Sequence, residues 1–97
     1  MEYKFTDKIW LYTGNGAWHF ITLPKGISDE IKQNFGQERK GWGSIRVTVS
    51  IDSYRWQTSI FPDKKSGAYI LPVKVEARKV AGLTDGSKAG VLLTIQT

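Results

Sequence analysis

One pattern occurs in both halves of the sequence, and this repeat constrains the fold more than any other feature. The first copy, at residues 20–25, has the sequence FITLPK and leads through a helix-like stretch to an alternating strand at Ile45–Ile51. The second copy, at residues 69–74, has the sequence YILPVK and leads through another helix-like stretch to a strand at residues 91–95. A repeat this long predicts a pseudo-two-fold fold built from two similar halves.

The length and the repeat together predict one small domain. The 97 residues fit a single core, with internal halves at about residues 3–51 and 54–97. Each half is predicted to contain a strand, a turn, a strand, a Leu-Pro step, a helix, a loop and a strand. Antiparallel closure protects the edges of short strands, so the sequence predicts a mainly β, six-stranded barrel with two short helices.

Several residues are assigned to the interior by periodicity. Trp18 and Trp56 lie within alternating strands and are predicted to be core residues. A tight turn is predicted at Asn15-Gly16, because this dipeptide supplies the positive φ angles of a hairpin. Pro24 and Pro72 are each predicted to open a helix, where a missing N–H costs nothing.

The helix-like stretches carry their own interior signals. Ile31 and Ala77 are predicted to face the core of the first and second helix, and Val80 is placed on the same inner stripe as Ala77. Ser28 is assigned a capping role at the start of the first helix, because its hydroxyl can accept a backbone N–H.

Composition excludes several classes of function. The sequence has no cysteine, which excludes disulfides, thiolate metal sites and thiol catalysis. The first residues lack the apolar stretch of a secretory signal, and no apolar run approaches the roughly 20 residues of a membrane helix. A cytoplasmic protein without a membrane partner is therefore expected, and a monomer is expected because one chain carrying both halves needs no partner to close the barrel. The net charge of +5 is compatible with a nucleic acid or another polyanion, or with solubility alone.

Two family resemblances follow from these motifs. Residues 70–86, with the sequence ILPVKVEARKVAGLTDG, resemble the AbrB/MazE-type swapped-hairpin domains. In that family two chains form one double-split barrel that often binds DNA, which implies that both copies here lie in one chain. A broader resemblance, to the bacterial family labelled domain of unknown function 1905, implies a single-chain double-split barrel with no established activity. It is carried by Trp10, Gly16-Ala17-Trp18, Phe20, Leu23-Pro24, Gly41-Trp42-Gly43, Phe61-Pro62 and residues 71–74.

A basic helix face is the first candidate binding surface. Lys74 and Arg78 are four residues apart and share one face of the second helix, with Lys79 adjacent. Like charges at this spacing repel each other, and a bound anion would relieve that repulsion. The alternative is a solvated helix face.

A glycine-flanked tryptophan gives the second candidate surface. Trp42 lies between two glycines, in a loop that continues through Ser44 to Arg46 on the following strand. This mount suits stacking on a base, a sugar or a flat ligand, whereas a ring folded back as a plug for the barrel end is the alternative.

Catalysis has little support in the sequence. His19 is the single histidine, and no partner carboxylate or nucleophile can be assigned to it from the sequence. Scattered carboxylates give no metal-ligand spacing, and no cofactor motif is complete. We therefore predict a non-enzymatic binding module for an unknown small molecule or protein. The alternatives are an AbrB-like nucleic-acid-binding protein and a small enzyme or enzyme accessory domain.

Overall fold

The computed structural model describes residues 1–14, 18–36 and 43–96. The predicted Asn15-Gly16 turn lies outside these residues. The elements, in chain order, are β1 (Glu2–Tyr12), β2 (Trp18–Thr22), α1 (Lys25–Phe35), β3 (Ile45–Ile51), β4 (Tyr54–Asp63), β5 (Ala68–Pro72), α2 (Val75–Ala81) and β6 (Lys88–Ile95).

The strands close into a barrel. Their order around it is β1-β2-β5-β4-β3-β6, and β6 pairs with β1 to complete the circle. Every pairing is antiparallel. The prediction of a mainly β, six-stranded barrel with two helices is therefore confirmed. The double-split type and the pseudo-two-fold repeat stay predictions.

The interior is filled by alternate strand residues. On β3 the β-branched residues Ile45, Val47, Val49 and Ile51 are buried, whereas Arg46 is exposed. On β2 the buried side is the one that carries Ile21, which pairs with Ile9 of β1 and Leu71 of β5. Side chains of successive strand residues point to opposite faces, so this register leaves Trp18 and Phe20 on the outside.

Each helix contributes a buried side chain to the core. Ile31 of α1 and Ala77 of α2 are both fully buried, as predicted. The prediction for Val80 is wrong, because its side chain is 52% exposed. α2 has only seven residues, and Val73, Ala77 and Ala81, spaced by four, already form the stripe that meets the core.

The two Leu-Pro steps lead into their helices differently. Pro24 is the N-cap of α1, but Pro72 still belongs to β5 and pairs with Phe20, and α2 begins only at Val75. The prediction that Pro72 opens the second helix is therefore wrong. Ser28 lies inside α1 instead of capping it, and its buried Oγ accepts a hydrogen bond from the Tyr69 backbone N–H at 3.0 Å. This bond ties α1 to β5.

Candidate functional site

Four aromatic side chains occupy the outer face of the β1–β2 hairpin. The register pairs Trp10 with Phe20 and Tyr12 with Trp18. Directly opposed side chains on an antiparallel pair lie close enough to interact. Trp18 is 54% exposed and Tyr12 is 46% exposed, so the prediction that Trp18 is a core residue is wrong. The inward-facing positions of β2 are those of His19 and the fully buried Ile21, and the large rings remain outside.

The rings support one another in a fixed arrangement around Phe20. The Trp18 ring is stacked on Phe20, with centroids 6.0 Å apart and an angle of 8° between the planes. Trp10 and Tyr12 meet the same ring at centroid distances of 5.1 Å and 6.2 Å. The Trp10 Nε1–H donates a hydrogen bond of 2.9 Å to Thr22 Oγ1, which fixes the indole orientation. Trp10, Tyr12 and Trp18 therefore all pack against the Phe20 ring in one contiguous aromatic cluster.

These rings form one wall of a concave surface, here called the aromatic groove. Phe61 of β4 and Ile70 of β5 continue the apolar lining across the sheet, and they pair with each other. The groove has a volume of about 630 Å³, within the range of about 300–1,000 Å³ that is typical of small-molecule sites. Its complete lining is Trp10, Tyr12, Trp18, Phe20, Phe61, Asp63, Lys64, Lys65 and Ile70.

The polar part of the groove comes from the turn between β4 and β5. Asp63 Oδ2 accepts hydrogen bonds from the Ser66 backbone N–H at 3.2 Å and from the Ser66 hydroxyl at 2.8 Å. The carboxylate is therefore occupied in shaping the turn. Lys64 and Lys65 are exposed and form no ion pair with any residue in the described ranges. The groove thus combines an apolar lining with two unpaired ammonium groups.

A second concavity, here called the basic cleft, adjoins α2. It has a volume of about 380 Å³ and is lined by Trp18, His19, Trp56, Gln57, Thr58, Pro72, Val73, Lys74, Val75 and Arg78. The Arg78 Nε–H donates to the Val73 carbonyl at 3.2 Å. Lys74 Nζ lies 5.9 Å from the centroid of the Tyr54 ring, within cation–π distance. Two of the predicted basic residues therefore do meet in one cleft.

Trp18 links the two concavities. It lines both the aromatic groove and the basic cleft. The β2–β5 register pairs Phe20 with Pro72, and the Val73 N–H then donates to the His19 carbonyl at 2.9 Å. Lys74 is the next residue after Val73, and it lines the basic cleft together with Trp18. A flat aromatic surface and a cation are therefore both present in this cleft.

The single histidine lies on the wall of the basic cleft. His19 Nδ1 is buried and has no hydrogen-bond partner within the described part of the chain. Across residues 1–14, 18–36 and 43–96, no group of three or more carboxylate or imidazole side chains is placed to hold a metal ion.

The remaining predicted site residues are dispersed. Trp42 lies outside the described residues. Ser44 immediately precedes β3, and Arg46 lies on the outer side of β3, where Nη1 donates to Ser59 Oγ at 3.4 Å. Lys79 is exposed on α2. None of the described three lines the aromatic groove or the basic cleft.

Sequence reasoning missed the aromatic groove, although a signal for it was present. Trp10 and Tyr12 on β1, and Trp18 and Phe20 on β2, are each spaced by two residues. Both faces of β2 mix apolar and polar residues, with His19 beside Ile21 on one face and Thr22 beside Phe20 on the other. Large exposed apolar patches on soluble proteins are a recognised mark of interaction surfaces.

The fold and its surface define a class: a small closed β-barrel with an aromatic groove on its outer face. The family model described as Domain of unknown function (DUF1905) matches residues 5–93, and the chain belongs to that family. No curated protein matches the chain. The relationship to AbrB-like domains stays a prediction. In the described residues, neither helix has the length and apolar character needed to cross a bilayer.

Proposed function

We propose that this domain is a binding module and that its principal site is the aromatic groove. One observation carries the proposal: Trp18 and Tyr12 are about half exposed, beside Phe20 and Trp10, around a single concavity. Each large aromatic side chain can bury about 150–250 Å² on contact with a partner. The core is already filled by other side chains, the aromatic Tyr3, Phe5, Trp56 and Tyr69 among them, so the exposed rings of Trp18 and Tyr12 are available for a ligand.

The lining indicates the chemistry of the ligand. The stacked Trp18 and Phe20 rings offer a flat apolar surface, while Lys64 and Lys65 offer positive charge at the edge. A ligand with a planar ring and an anionic group would use both. A few polar groups around an apolar concavity is the usual composition of a small-molecule site.

Binding without catalysis is part of the proposal. Asp63 is the carboxylate in the groove, and its Oδ2 is engaged by Ser66. A general base must reach the proton that it removes, and one of the two carboxylate oxygens of Asp63 is already hydrogen-bonded within its own turn. The same proposal takes the domain as a cytoplasmic monomer, as the sequence predicts.

The test is a titration with planar aromatic carboxylates and with neutral aromatic amides of the same shape. Tryptophan fluorescence and thermal stabilisation are both followed, so that a change at the rings is separated from non-specific quenching. We expect saturable binding of at least one of these two types of aromatic ligand. Trp18→Ala should weaken that binding about tenfold or more, equivalent to about 1.4 kcal/mol.

Val80→Ala is the matched control. Val80 is as exposed as Trp18 but lies on α2 and lines neither the groove nor the cleft. Its removal should leave the affinity unchanged. A flat response of the parent protein across the whole panel would contradict a small-molecule ligand, and equal losses in Trp18→Ala and Val80→Ala would contradict the groove as the site.

A further inference from the structure

Resting on that proposed function, we propose that the ligand is a single-stranded nucleic acid that follows the aromatic groove past Trp18 into the basic cleft. The inference comes from the way flat surfaces and cations alternate along this path. Proteins that bind single strands combine aromatic platforms for the bases with a positive track for the backbone.

The stacking platform is provided by the β1–β2 hairpin. Trp18 and Tyr12 each present about half of their surface to solvent, and both are held by Phe20. Unpaired bases can stack on such rings whatever their identity, because every base has a π face. Bases in a duplex are already stacked on one another and cannot reach these rings. The platform therefore favours a single strand.

The phosphate contacts would come from cations on both sides of the platform. Lys64 and Lys65 lie at the β4–β5 turn on the groove side, and Lys74 and Arg78 lie on the cleft side. Trp18 belongs to both linings and lies between the two pairs. Asp63 is the acidic group of the groove, and it is hydrogen-bonded to Ser66. The net charge of +5 acts in the same direction.

A neutral ligand fits this path less well. A sugar or an apolar peptide would use the rings but would leave four cationic side chains without a role. A small anionic ring compound would use one pair of cations, on one side of Trp18. A chain of alternating planar and anionic groups engages both pairs at once, and a single-stranded nucleic acid has that chemistry.

The measurement is fluorescence anisotropy with labelled oligothymidine and oligouridine of about 12 nucleotides, within the roughly 4–16 nucleotides bound by small barrels of the OB type. A duplex of the same length is the competitor. Single-strand binding releases counterions, with a slope in log affinity against log salt of about −0.7 per phosphate contact. Four contacts predict a slope of about −2.8, or about a 50-fold loss between about 50 and 200 mM salt.

Two variants and one matched control locate the binding. Lys64→Gln/Lys65→Gln should reduce the slope to about −1.4, and Trp18→Ala should weaken binding about 5- to 150-fold by removing a base stack. The control, Lys4→Gln/Lys88→Gln, removes the same charge from exposed positions on β1 and β6, outside the groove and the cleft. It should retain most of the parent affinity. Circular dichroism confirms that each variant is folded.

The outcomes separate this inference from the proposed function. Salt-sensitive single-strand binding that is lost in Trp18→Ala and retained in the control supports it, and the oligothymidine and oligouridine arms show which sugar is preferred. Tighter binding of the duplex, or equal losses in the control, overturns it. Binding of aromatic small molecules without oligonucleotide binding overturns this inference alone. If the protein binds neither aromatic small molecules nor oligonucleotides, the proposed function is overturned as well.

Discussion

The outer faces of two strand pairs in the same barrel differ sharply. On the β1–β2 pair, the outward residues include Trp10, Tyr12, Trp18 and Phe20. On the β3–β4 pair, the outward cross-strand pairs are Arg46 with Ser59, Thr48 with Gln57 and Ser50 with Arg55. Both pairs also bury apolar residues on their inner faces, among them Phe5 and Ile9 on β1, Val49 on β3 and Trp56 on β4. A polar outer face is therefore compatible with the barrel, and barrel closure alone does not account for the aromatic outer face of the β1–β2 pair.

This difference separates the residues that stabilise the fold from aromatic residues that remain partly exposed. The inner residues, such as Val47 and Val49 on β3 and Ile21 on β2, are fully buried and supply the apolar burial that stabilises the barrel. Trp18 and Tyr12 contribute about half of their surface to packing. Substituting these outer rings should therefore lower the free energy of unfolding less than substituting an inner residue.

The largest expected effect comes from an inner position. Ile31→Asp places a carboxylate at a fully buried site among apolar neighbours. An unpaired buried charge costs several kcal/mol, against a total stability of about 5–15 kcal/mol for a domain. We expect the variant to be unfolded, as measured by circular dichroism and thermal melting.

Val80→Asp is the control for this change, because Val80 is exposed on the other helix. It should alter the free energy of unfolding by no more than about 0.5 kcal/mol. A folded Ile31→Asp variant with parent stability would show that α1 does not supply a core residue there.

The two tryptophans on opposite faces give the next test. Trp56 is 8% exposed on β4, and Trp56→Ala should destabilise the domain by about 3–5 kcal/mol through lost burial and a cavity. Trp18→Ala mainly loses its stack on Phe20, which is worth about 0.5–1.5 kcal/mol. Urea unfolding of both variants measures the difference. Equal destabilisation would mean that the aromatic face is a structural support, which would remove the basis of the comparison.

A Thr→Val substitution can be made on both outer faces, and it tests whether the rings of the aromatic face are preorganised. Thr22 Oγ1 accepts from Trp10 Nε1 at 2.9 Å, and Thr48 Oγ1 accepts from Gln96 Nε2 at 2.7 Å. Each Thr→Val change removes one acceptor, at a cost of about 0.5–1.5 kcal/mol. We expect Thr22→Val to alter the near-ultraviolet circular dichroism of the rings, and Thr48→Val to leave it unchanged. Identical spectra for both would show that the Thr22 bond does not orient the indole.

The sequence predicted the elements well where only one face of a strand is apolar. β3 alternates β-branched residues with Arg46, Thr48 and Ser50, and its predicted bounds match the structure. β2 carries apolar residues on both faces, Trp18 and Phe20 on one and Ile21 beside His19 on the other, so periodicity alone could not decide between Trp18 and Ile21 for the interior. Pairing with β1 and β5 decides it, and these are contacts between distant parts of the chain.

The same contrast between local patterns and contacts of distant chain segments explains which parts of the candidate site could be predicted from the sequence. Lys74 and Arg78 share a face because of helical spacing, which is local and readable in the sequence. Their meeting with Trp56 and Trp18 depends on the strand order β2-β5-β4, which the repeat did not specify. Phe61 joins the groove for the same reason.

The smallest expected change in the free energy of unfolding at neutral pH comes from a tyrosine on the inner face of β1. Tyr3 on β1 is 7% exposed, and burial, with the nearby Glu30 carboxylate, raises the pKa of its phenol above 10.0. The Asn34 side chain opposes this rise, but the Tyr3 hydroxyl completes no hydrogen bond of good geometry with a described residue. Tyr3→Phe should therefore change the free energy of unfolding little at neutral pH.

At alkaline pH, the variants Tyr3→Phe and Tyr12→Phe should differ in their free energy of unfolding. Below about pH 10 the phenol is protonated in both the folded and the unfolded chain. As the pH rises past that value, the unfolded chain loses this proton first, so the free energy of unfolding falls until the folded-state pKa is passed. Tyr3→Phe removes this pH dependence. Tyr12→Phe changes a residue on the exposed outer face, so its free energy of unfolding should decline as that of the parent does. Urea unfolding at about pH 8 and about pH 11, either side of the ordinary tyrosine pKa, measures it. If Tyr3→Phe and the parent declined in parallel, ionisation at the inner face would not be linked to folding.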